Sequence, residues 1–312
     1  MTTTTQSASD ASAETASGVG IAPPGYRLPA KMTVGAVQLQ VRDLERSLSY
    51  YQDVLGFRVV ERTAHDAVLA AVGDDTPLVR LHERPGAAPV PRRGRLGLYH
   101  FAILLPDRAA LGRLMKHLAE HGERAGASDH LVSEAIYLHD PDGLGIEVYA
   151  DRPRSAWETT NGEIRMATLP LDVADVVRAA AGVPWSGMPA GTVMGHVHLH
   201  VGDLERAAAF YHAALGLDKI VWSYNGALFL SAGGYHHHLG LNSWAGPSAA
   251  SAREDEARLM AWRIQVPSAA DASAARASLE SAGHAVRDIA SGWTVVDPWG
   301  TTLELVSPTH SD

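Results

Sequence analysis

An internal repeat constrains the fold of this 312-residue chain more than any other feature of its sequence. The segment from Val34 to Arg46 returns without a gap as Met194 to Arg206. The next stretch returns as well, because Tyr50–Gly56 matches Phe210–Gly216 in its aromatic, Leu and Gly positions. Self-similarity of this length indicates that one supersecondary unit occurs at least twice.

A second repeated unit follows each copy of the first. It begins with His100–Pro106, which matches Ala261–Pro267, and it ends with Asp140–Glu147, which matches Asp297–Glu304. The chain therefore divides into four modules, numbered one to four, which span residues 33 to 86, 96 to 151, 193 to 247 and 258 to 308.

Each module predicts the same order of secondary-structure elements. It opens with alternating apolar residues, as in Val37, Leu39 and Val41, which is typical of a strand with one apolar face. A polar capping residue and apolar residues at helical spacing follow, and a glycine closes the stretch. Short β-type runs separated by turn signals complete a βαβββ unit, whose polar strand face should line a cup. The candidate helix caps are Asp43, Asp107 and Asp203.

The rest of the chain predicts a tail and a connection. Residues 1–32 are predicted to form a disordered tail, since residues 1 to 20 are rich in Thr, Ser and Ala and lack the basic start and apolar core of a signal peptide. Residues 33–151 hold the first two modules in sequence and residues 193–308 the last two. The proline-containing stretch 152–192 is predicted to connect them.

Composition excludes several classes of partner and site. The net charge is −9, with 26 Lys and Arg against 35 Asp and Glu, and no basic stripe occurs, so nucleic-acid binding is disfavoured. The sequence contains no run of about 18 apolar residues, so no membrane span is predicted. Cysteine is absent, which excludes disulfides and thiolate metal sites and agrees with an expected cytoplasmic location. The oligomeric state stays open, with a homo-oligomer allowed.

These units and motifs resemble a known superfamily. The βαβββ modules, the Asp-Leu-Glu-Arg start of the helix and the Asp-Pro-x-Gly turn before Glu147 resemble the vicinal oxygen chelate superfamily. Within it, the stretch from His130 to Glu147 is similar to the signature of the extradiol catechol 2,3-dioxygenases. The resemblance covers about residues 33 to 308. It implies an α+β fold in which four βαβββ modules form two cup-shaped barrels.

The resemblance also implies an activity and a metal. Its members cleave catechol or a substituted catechol with O₂ between C2 and C3, giving a 2-hydroxymuconate semialdehyde. The expected partners are therefore a small aromatic diol and O₂. The expected cofactor is Fe(II), with Mn(II) as the alternative, because two histidines and one carboxylate form the usual ligand set of non-haem Fe(II) oxygenases.

Repeat positions select the candidate metal ligands. In the resembled proteins one module supplies a histidine from its first strand, and its partner supplies a first-strand histidine and a last-strand glutamate. These positions hold His100 and Glu147 in module two and His196 in module three, but Ala36 in module one and Ala261 in module four. Taken singly, His100 would more often be a hydrogen-bonded core histidine, so its repeat position carries the prediction.

This distribution predicts which modules share a cup. Modules three and four offer His196 and Glu304 without a second first-strand histidine, and modules one and two offer only two ligands. We therefore expect modules two and three to share the metal cup, and modules one and four to form a degenerate pair. Without a metal, the donor atoms of His100, Glu147 and His196 should lie about 3 to 4 Å apart, given metal–ligand distances of about 2.0 to 2.3 Å.

The resemblance also implies catalytic residues. His130 and Tyr137 stand at the positions of a histidine and a tyrosine that take acid/base and hydrogen-bonding roles in the family. Histidine suits proton transfer because its unperturbed pKa of about 6.5 lies near working pH. The alternatives are a surface-loop histidine and a core tyrosine. Module four has Arg287 and Thr294 at the matching positions, which agrees with a single active site.

Further residues are predicted to contact the substrate. His198 shares the strand face of His196 and should point into the cup beside it. In the cluster from Tyr235 to Asn242, His236 and His238 should share one face, and His238 is predicted to contact substrate or metal. Trp244 is predicted to wall the pocket, although a lone tryptophan is more often core.

Two other functions are compatible with the fold. A glyoxalase-like lyase or isomerase would use Zn²⁺ or Ni²⁺ with a second carboxylate, which module three does not offer. A drug-sequestering protein would need no metal and would have little reason to keep the five predicted site residues together: His100, Glu147, His196, His130 and Tyr137. Fold alone does not separate these functions, and the site must do so.

Overall fold

The computed structural model of the chain describes residues 18–91 and 94–308. Most of its strands belong to two curled eight-stranded sheets. The strands are β1 (Thr33–Val41), β2 (Arg58–Arg62), β3 (Asp66–Ala70), β4 (Val79–Glu83), β5 (Gly97–Leu104), β6 (Gly126–Asp129), β7 (Ser133–His139), β8 (Gly145–Asp151), β9 (Thr159–Thr160), β10 (Glu163–Ile164), β11 (Val193–His200), β12 (Asp218–Val221), β13 (Ala227–Ser231), β14 (Leu239–Asn242), β15 (Arg258–Gln265), β16 (Val286–Ile289), β17 (Gly292–Val296) and β18 (Thr302–Val306).

The topology pairs modules that are not adjacent in sequence. One sheet has the order β16-β17-β18-β15-β1-β4-β3-β2 and so combines modules four and one. The other has the order β12-β13-β14-β11-β5-β8-β7-β6 and combines modules three and two. The first strands of paired modules run antiparallel, β1 against β15 and β5 against β11. The predicted module pairing is therefore confirmed.

The helices begin where the capping residues predict. Asp43, Asp107 and Asp203 each accept a hydrogen bond from the backbone N–H three residues later, which satisfies one of the free donors of the first turn. Ser268 caps the fourth module's helix in the same way. No helix in the described part of the chain is long and apolar enough to cross a membrane. The α-helices are α1 (Leu44–Ser49), α2 (Arg108–Glu120), α3 (Val173–Ala179), α4 (Leu204–Ala208) and α5 (Ala269–Ser281). A π-helical segment continues α1 (Tyr50–Val54) and another continues α4 (Ala209–Ala214), and Arg154–Ala156 form a short 3₁₀-helix.

Modules that are adjacent in sequence are joined by a buried tyrosine–aspartate contact. The turn after α1 buries Tyr51, whose hydroxyl lies 3.4 Å from Asp140 Oδ2 in the Asp-Pro-x-Gly turn of module two. Tyr211 after α4 donates to Asp297 Oδ2 of module four at 2.8 Å. The two halves of the repeat therefore use the same polar contact inside an otherwise apolar core.

Two predictions outside the modules need correction or extension. The tail prediction is wrong for residues 18–32, because Ile21 pairs with Lys219 beside β12 and because Leu28 and Met32 are buried in the core. Apolar side chains late in this stretch drive that packing. Residues 1–17 lie outside the described residues. The connection 152–192 contains the β9–β10 hairpin and α3; α3 lies against α2 of module two, and β10 lies against β12 of module three.

Candidate metal centre and catalytic cavity

Three central strands of the sheet shared by modules two and three build the candidate site. Strand β8 carries Glu147 on the concave face, and β11 carries His196 and His198 on the same face. The register of β5 against β11 places His100 directly opposite His198. Side chains alternate along a strand, so residues two apart share a face and three strands suffice to gather all four groups.

The predicted ligands come together as expected. His100 Nε2 lies 2.9 Å from Glu147 Oε2, and His196 Nε2 lies 3.3 Å from the same oxygen. Donor atoms of the three residues all lie within 4.8 Å of one another, and within the described ranges this is the one such cluster of His, Cys, Asp or Glu. The exposed fractions are 5% for His100, 3% for Glu147 and 1% for His196, so water does not screen the group.

The electrostatics of the cluster fit a divalent cation. Burial alone would raise the pKa of Glu147, but His196 and His100 outweigh burial and hold that pKa well below its usual range. Burial lowers the pKa of His196 to about 4, partly offset by Glu147, so its imidazole is neutral near pH 7. His100 Nε2 is buried and makes no hydrogen bond despite its short distance to Glu147. An anionic carboxylate and neutral imidazoles are the protonation states that metal binding requires.

A cavity of about 230 Å³ opens beside this cluster. Its walls combine metal-ligand candidates with aromatic and hydroxyl side chains. They are formed by Tyr99, His100, Ser128, His130, Ser133, Tyr137, Glu147, Met166, Ala167, Thr168, His198, Tyr224, Phe229, His237 and Trp244. A few polar groups in a concave, largely apolar wall are typical of a small-molecule site.

His130 and Tyr137 form a hydrogen-bonded pair in the cavity wall. His130 Nδ1 lies 2.7 Å from the carbonyl oxygen of Ala167, so Nδ1 carries the proton that is donated. In the neutral ring, Nε2 is then the acceptor for the hydroxyl of Tyr137, at 2.5 Å. Burial, followed by the nearby charge of Glu147, raises the pKa of Tyr137 well above 10. The pair therefore holds its proton on the tyrosine, next to the metal cluster.

His198 lies in the cavity wall, as predicted. Nδ2 of the buried Asn242 donates a hydrogen bond to His198 Nε2 at 3.0 Å. The Oδ1 atom of Asn242 accepts a hydrogen bond from His200 Nδ1 at 2.6 Å. Burial, followed by His100 and His196, lowers the pKa of His198 well below 6.5. His198 is therefore a neutral, polar residue in the cavity wall beside the metal cluster, and its hydrogen bond with Asn242 fixes the orientation of its ring.

The prediction for His238 is wrong, and His237 takes the place beside the metal cluster. His238 bonds to Ser231 and lines a different cavity, whereas the His237 ring lies 4.0 Å from the ring of His196. Gly240 and Asn242 face the cup along β14, so regular alternation would carry His238 onto that face. Residues 235–238 form a bend before the strand begins, and the bend reverses the alternation.

Aromatic side chains line the mouth of the cavity. Trp244 is 47% exposed and lies 5.7 Å, ring to ring, from both Tyr99 and His198. Trp244 lines the cavity, as its predicted place in the pocket wall requires. Sequence reasoning missed Tyr99, which lies at a bulge of β5 against β11 that strand alternation does not reveal. It also missed Met166–Thr168, because these residues lie in the inter-domain connection.

The sheet shared by modules one and four has a different centre. Glu304 corresponds to Glu147, but both Nε and Nη2 of Arg263 donate to its Oε2, at 2.9 and 2.6 Å. An internal guanidinium therefore neutralises this carboxylate, and Gln38 and Ala261 stand in register on the neighbouring strands. This agrees with the predicted degenerate pair.

Known proteins place the chain in a family. Residues 33–148 and 193–305 match the family described as the Glyoxalase/Bleomycin resistance protein/Dioxygenase superfamily. The chain is 44% identical to a catechol-2,3-dioxygenase of Bacillus subtilis (strain 168) over 268 residues, which cover 85% of this chain and 93% of the relative.

Solved structures show the same fold at low sequence identity. A candidate dioxygenase from Bacillus subtilis subsp. subtilis str. 168 has a TM-score of 0.61 and 15% identity, with 90% of this chain and 86% of that chain covered. Glyoxalase I from Zea mays has a TM-score of 0.53 and 18% identity, with 88% and 92% covered. The family match spans all four modules, so the chain belongs to the Glyoxalase/Bleomycin resistance protein/Dioxygenase superfamily.

Proposed function

We propose that this protein is an Fe(II)-dependent extradiol dioxygenase. It cleaves catechol or a substituted catechol between C2 and C3, and both atoms of O₂ enter the 2-hydroxymuconate semialdehyde product. The observation that carries the proposal is the buried cluster of His100, Glu147 and His196 at the base of a cavity with a proton-transfer pair in its wall. The 44% identity to a relative named catechol-2,3-dioxygenase supports the same reaction.

The ligand set favours Fe(II). Two imidazoles and one carboxylate suit non-haem Fe(II), and Mn(II) is the alternative that the same donors accept. When bound by His100, Glu147 and His196, the ion would supply positive charge for the catecholate and open positions for substrate and O₂. Their burial keeps water from competing for these interactions.

The chain's own residues hold and move the substrate protons. Tyr137 and His130 line the same cavity, with the tyrosine hydroxyl bonded to His130 Nε2. A proton that leaves a substrate hydroxyl can pass to the Tyr137 oxygen as the Tyr137 proton passes to His130 Nε2, and the imidazolium so formed can return the proton by the same route. Ala167 fixes the His130 ring by accepting from Nδ1, so Nε2 is presented as the acceptor.

The cavity walls suit a single aromatic ring. Phe229, Tyr99 and Trp244 contribute aromatic surface around a volume of about 230 Å³. This is smaller than the roughly 300 to 1,000 Å³ typical of pockets for drug-sized ligands. Aromatic side chains favour offset or edge-to-face contacts with an aromatic ligand, so they orient a catechol ring as well as bury it.

The alternative functions fit the site less well. A glyoxalase-like reaction would need a second carboxylate, whereas Glu147 is the one carboxylate of the described cluster. A metal-free sequestering protein would have no use for His100 Nε2, which is buried without a hydrogen bond although it lies 2.9 Å from Glu147 Oε2.

Anaerobic reconstitution tests the proposal. The protein is loaded separately with Fe(II), Mn(II) and Zn(II), its metal content is measured, and catechol and O₂ are added. We expect a yellow ring-fission product and one O₂ consumed per catechol with Fe(II), and no product with Zn(II). Full Fe(II) occupancy without ring fission of catechol or methylcatechols would overturn the proposal. Conversion of a hemithioacetal by the Zn(II) form would favour the glyoxalase-like function.

A further inference from the structure

A second cavity, of about 390 Å³, lies where the two halves of the repeat meet. Residues at matching positions of the repeat line it from both sides, since Thr33–Gly35 open β1 and Val193–Gly195 open β11. None of its lining residues also lines the catalytic cavity. The proposed ring cleavage therefore makes no use of this cavity.

The two halves of the repeat place different side chains at one matching position of this cavity. The carbonyl oxygen of Leu78 accepts a hydrogen bond from the N–H of Val37 at 3.1 Å, and that of His238 accepts from the N–H of Val197 at 3.1 Å. Val37 and Val197 match in the repeat, so Leu78 and His238 match as well. One half therefore lines the cavity with a buried leucine where the other half presents an imidazole.

The backbone determines which nitrogen of His238 carries its proton. The N–H of Ala232 donates to His238 Nδ1 at 3.3 Å, and the hydroxyl of Ser231 lies 2.9 Å from the same atom. An amide N–H can only donate, so Nδ1 is an acceptor and the ring carries its proton on Nε2. Nε2 makes no hydrogen bond within the described chain, and it is not among the fully enclosed polar atoms. His238 therefore offers the cavity a free N–H donor.

Arg154 lies beside His238 in the cavity wall. The rings of Tyr235 and His238 have centres 4.9 Å apart, and the guanidinium carbon of Arg154 lies 5.6 Å from the centre of the Tyr235 ring. Arg154 Nη1 donates to the carbonyl oxygen of Gly233 at 3.2 Å, and no carboxylate of the described residues forms an ion pair with Arg154. Its positive charge is therefore free to interact with a ligand.

Lys31 brings a second positive charge to the same side of the cavity. The residue before it, Ala30, packs against Gly233, where a Cβ would lie 2.5 Å from the Ala30 carbonyl oxygen. Gly233 also accepts from Arg154, so the two cationic residues approach one part of the wall. No carboxylate is among the described residues that line the cavity. The local potential is therefore positive and attracts anions.

Apolar side chains supply much of the remaining wall. Burial against such side chains stabilises ligand carbon by about 25 cal/mol per Å² of apolar surface removed from water. The cavity therefore suits a ligand with an anionic end and a short carbon skeleton. The apolar residues include Met32, Val34, Leu78, Leu104 and Met194.

We infer that this cavity binds a small organic carboxylate. The carboxylate accepts a hydrogen bond from Nε2 of His238 and faces the charges of Lys31 and Arg154, while its carbon chain packs on the apolar wall. An inorganic anion would leave that wall in contact with water, and an organic cation would be repelled by both charges. The site does not depend on the proposed function, because none of its residues belongs to the metal cluster or lines the catalytic cavity.

Titration calorimetry with hexanoate tests the site, and hexan-1-ol is the uncharged control. The iron-loaded protein is titrated without O₂. We expect hexanoate to bind with a Kd of about 1 mM or lower and hexan-1-ol to bind at least about 10-fold more weakly, because the alcohol lacks the charge that the donor and the two cations favour. Equal affinities for hexanoate and hexan-1-ol, or for hexanoate and inorganic phosphate, would overturn the inference.

Two substitutions at position 238 isolate the donor. His238→Phe removes it and should raise the Kd for hexanoate by roughly 10-fold or more, as expected for the loss of a hydrogen bond to a charged group. His238→Gln places an amide N–H near the position of Nε2 and should restore most of the affinity. Both variants lose the Nδ1 acceptor of the Ala232 N–H, so a difference between them reports on Nε2 alone. Equal losses in the two variants would overturn the assignment of the carboxylate to Nε2.

Arg154→Met removes one charge from the wall. It should raise the Kd for hexanoate by roughly 2- to 5-fold, the range for an exposed ion pair. Arg124→Met is the matched control, because Arg124 is exposed and lines neither cavity, and it should bind hexanoate as the wild-type protein does. Arg154 is exposed too, so this pair decides the question if His238→Phe does not fold. Wild-type affinity in Arg154→Met would overturn the inference.

Trp244→Ala shows which cavity holds the probe. Trp244 lines the catalytic cavity and not the second one, so this variant should keep the wild-type Kd for hexanoate. Weaker binding in Trp244→Ala together with wild-type affinity in His238→Phe would place hexanoate in the catalytic cavity and overturn the inference. If the iron-loaded protein cleaves no catechol, the proposed function fails and the hexanoate results stand unchanged.

Discussion

Arg263 donates two hydrogen bonds to Oε2 of Glu304, at the place where the other sheet brings two histidines to Glu147. The same strand position therefore carries a carboxylate in both sheets. In one sheet an arginine of the protein neutralises it, and in the other two histidines leave it able to bind a cation. The two carboxylates form a natural pair of test and control.

Glu147→Gln should remove most bound iron, because the facial set loses its one anionic ligand. Glu304→Gln should retain iron and activity, and the loss of its half-buried ion pair should cost no more than about 1 kcal/mol of stability. Metal analysis after anaerobic reconstitution checks both variants. Full occupancy in Glu147→Gln, or iron loss in Glu304→Gln, would contradict the assignment of the metal to modules two and three.

His196→Ala tests the module pairing by the same measurement. It should lose iron as completely as His100→Ala, although the two residues lie in different halves of the repeat. The reason is that both nitrogens lie within about 3.3 Å of one Glu147 oxygen. Retained iron in His196→Ala alone would mean that a neighbour such as His237 replaces it as a ligand.

Tyr137→Phe and His130→Ala should retain iron and lower kcat by roughly 10² to 10⁴, the range for loss of a positioned proton-transfer group. Because the two side chains share one hydrogen bond, the double variant should lose little more than the worse single variant. Iron content and steady-state kinetics on catechol check this. Additive losses in the double variant would show that the residues act separately.

The repeat predicted most of the fold because it carries long-range information. Matching Val34–Arg46 with Met194–Arg206 defined the modules, and the distribution of His100, Glu147 and His196 among them predicted which modules share a sheet. Periodicity alone would have given the strands but not their partners, since alternation reports only which face of a strand is buried.

The errors at the candidate site arose where the backbone departs from regular alternation. His238 was assigned to the cup by a period of two that a bend before Leu239 breaks, so His237 faces the cavity instead. Tyr99 faces the mouth of the cavity at a strand bulge, and no pattern of residues in the sequence predicts that bulge.

Trp244→Ala should raise KM for catechol and leave kcat nearly unchanged. Trp244 is half exposed at the cavity mouth and contacts Tyr99 and His198 but none of the candidate ligands. An aromatic contact of about 0.5 to 1.5 kcal/mol corresponds to an increase of roughly 2- to 12-fold. Trp222→Ala is the control, as this partly exposed tryptophan does not line the cavity. A fall in kcat without a change in KM would place Trp244 in the chemistry instead.

Asp140→Asn should reduce the pH dependence of stability. Burial, as the largest cause, raises the pKa of Asp140 to about 7, against about 3.9 in the unfolded chain. The folded state therefore binds the proton more tightly, and the stability that this contributes is present below about pH 4 and is lost as the pH rises to about 7. The difference between these two pKa values corresponds to at most about 4 kcal/mol in the free energy of unfolding. Asparagine keeps an oxygen acceptor for the backbone N–H groups of Asp142 and Leu144 but cannot ionise.

The measurement is the free energy of unfolding in denaturant at pH 5 and pH 8, made on the metal-free protein so that metal binding does not contribute. The wild-type protein should lose more stability over this interval than Asp140→Asn, and the difference isolates one carboxyl group. Glu120→Gln controls for the change in net charge, since it removes an exposed carboxylate at the end of α2. Equal losses for the wild-type and Asp140→Asn proteins would show that Asp140 is ionised in the folded protein throughout, held by its backbone donors and not neutralised by burial.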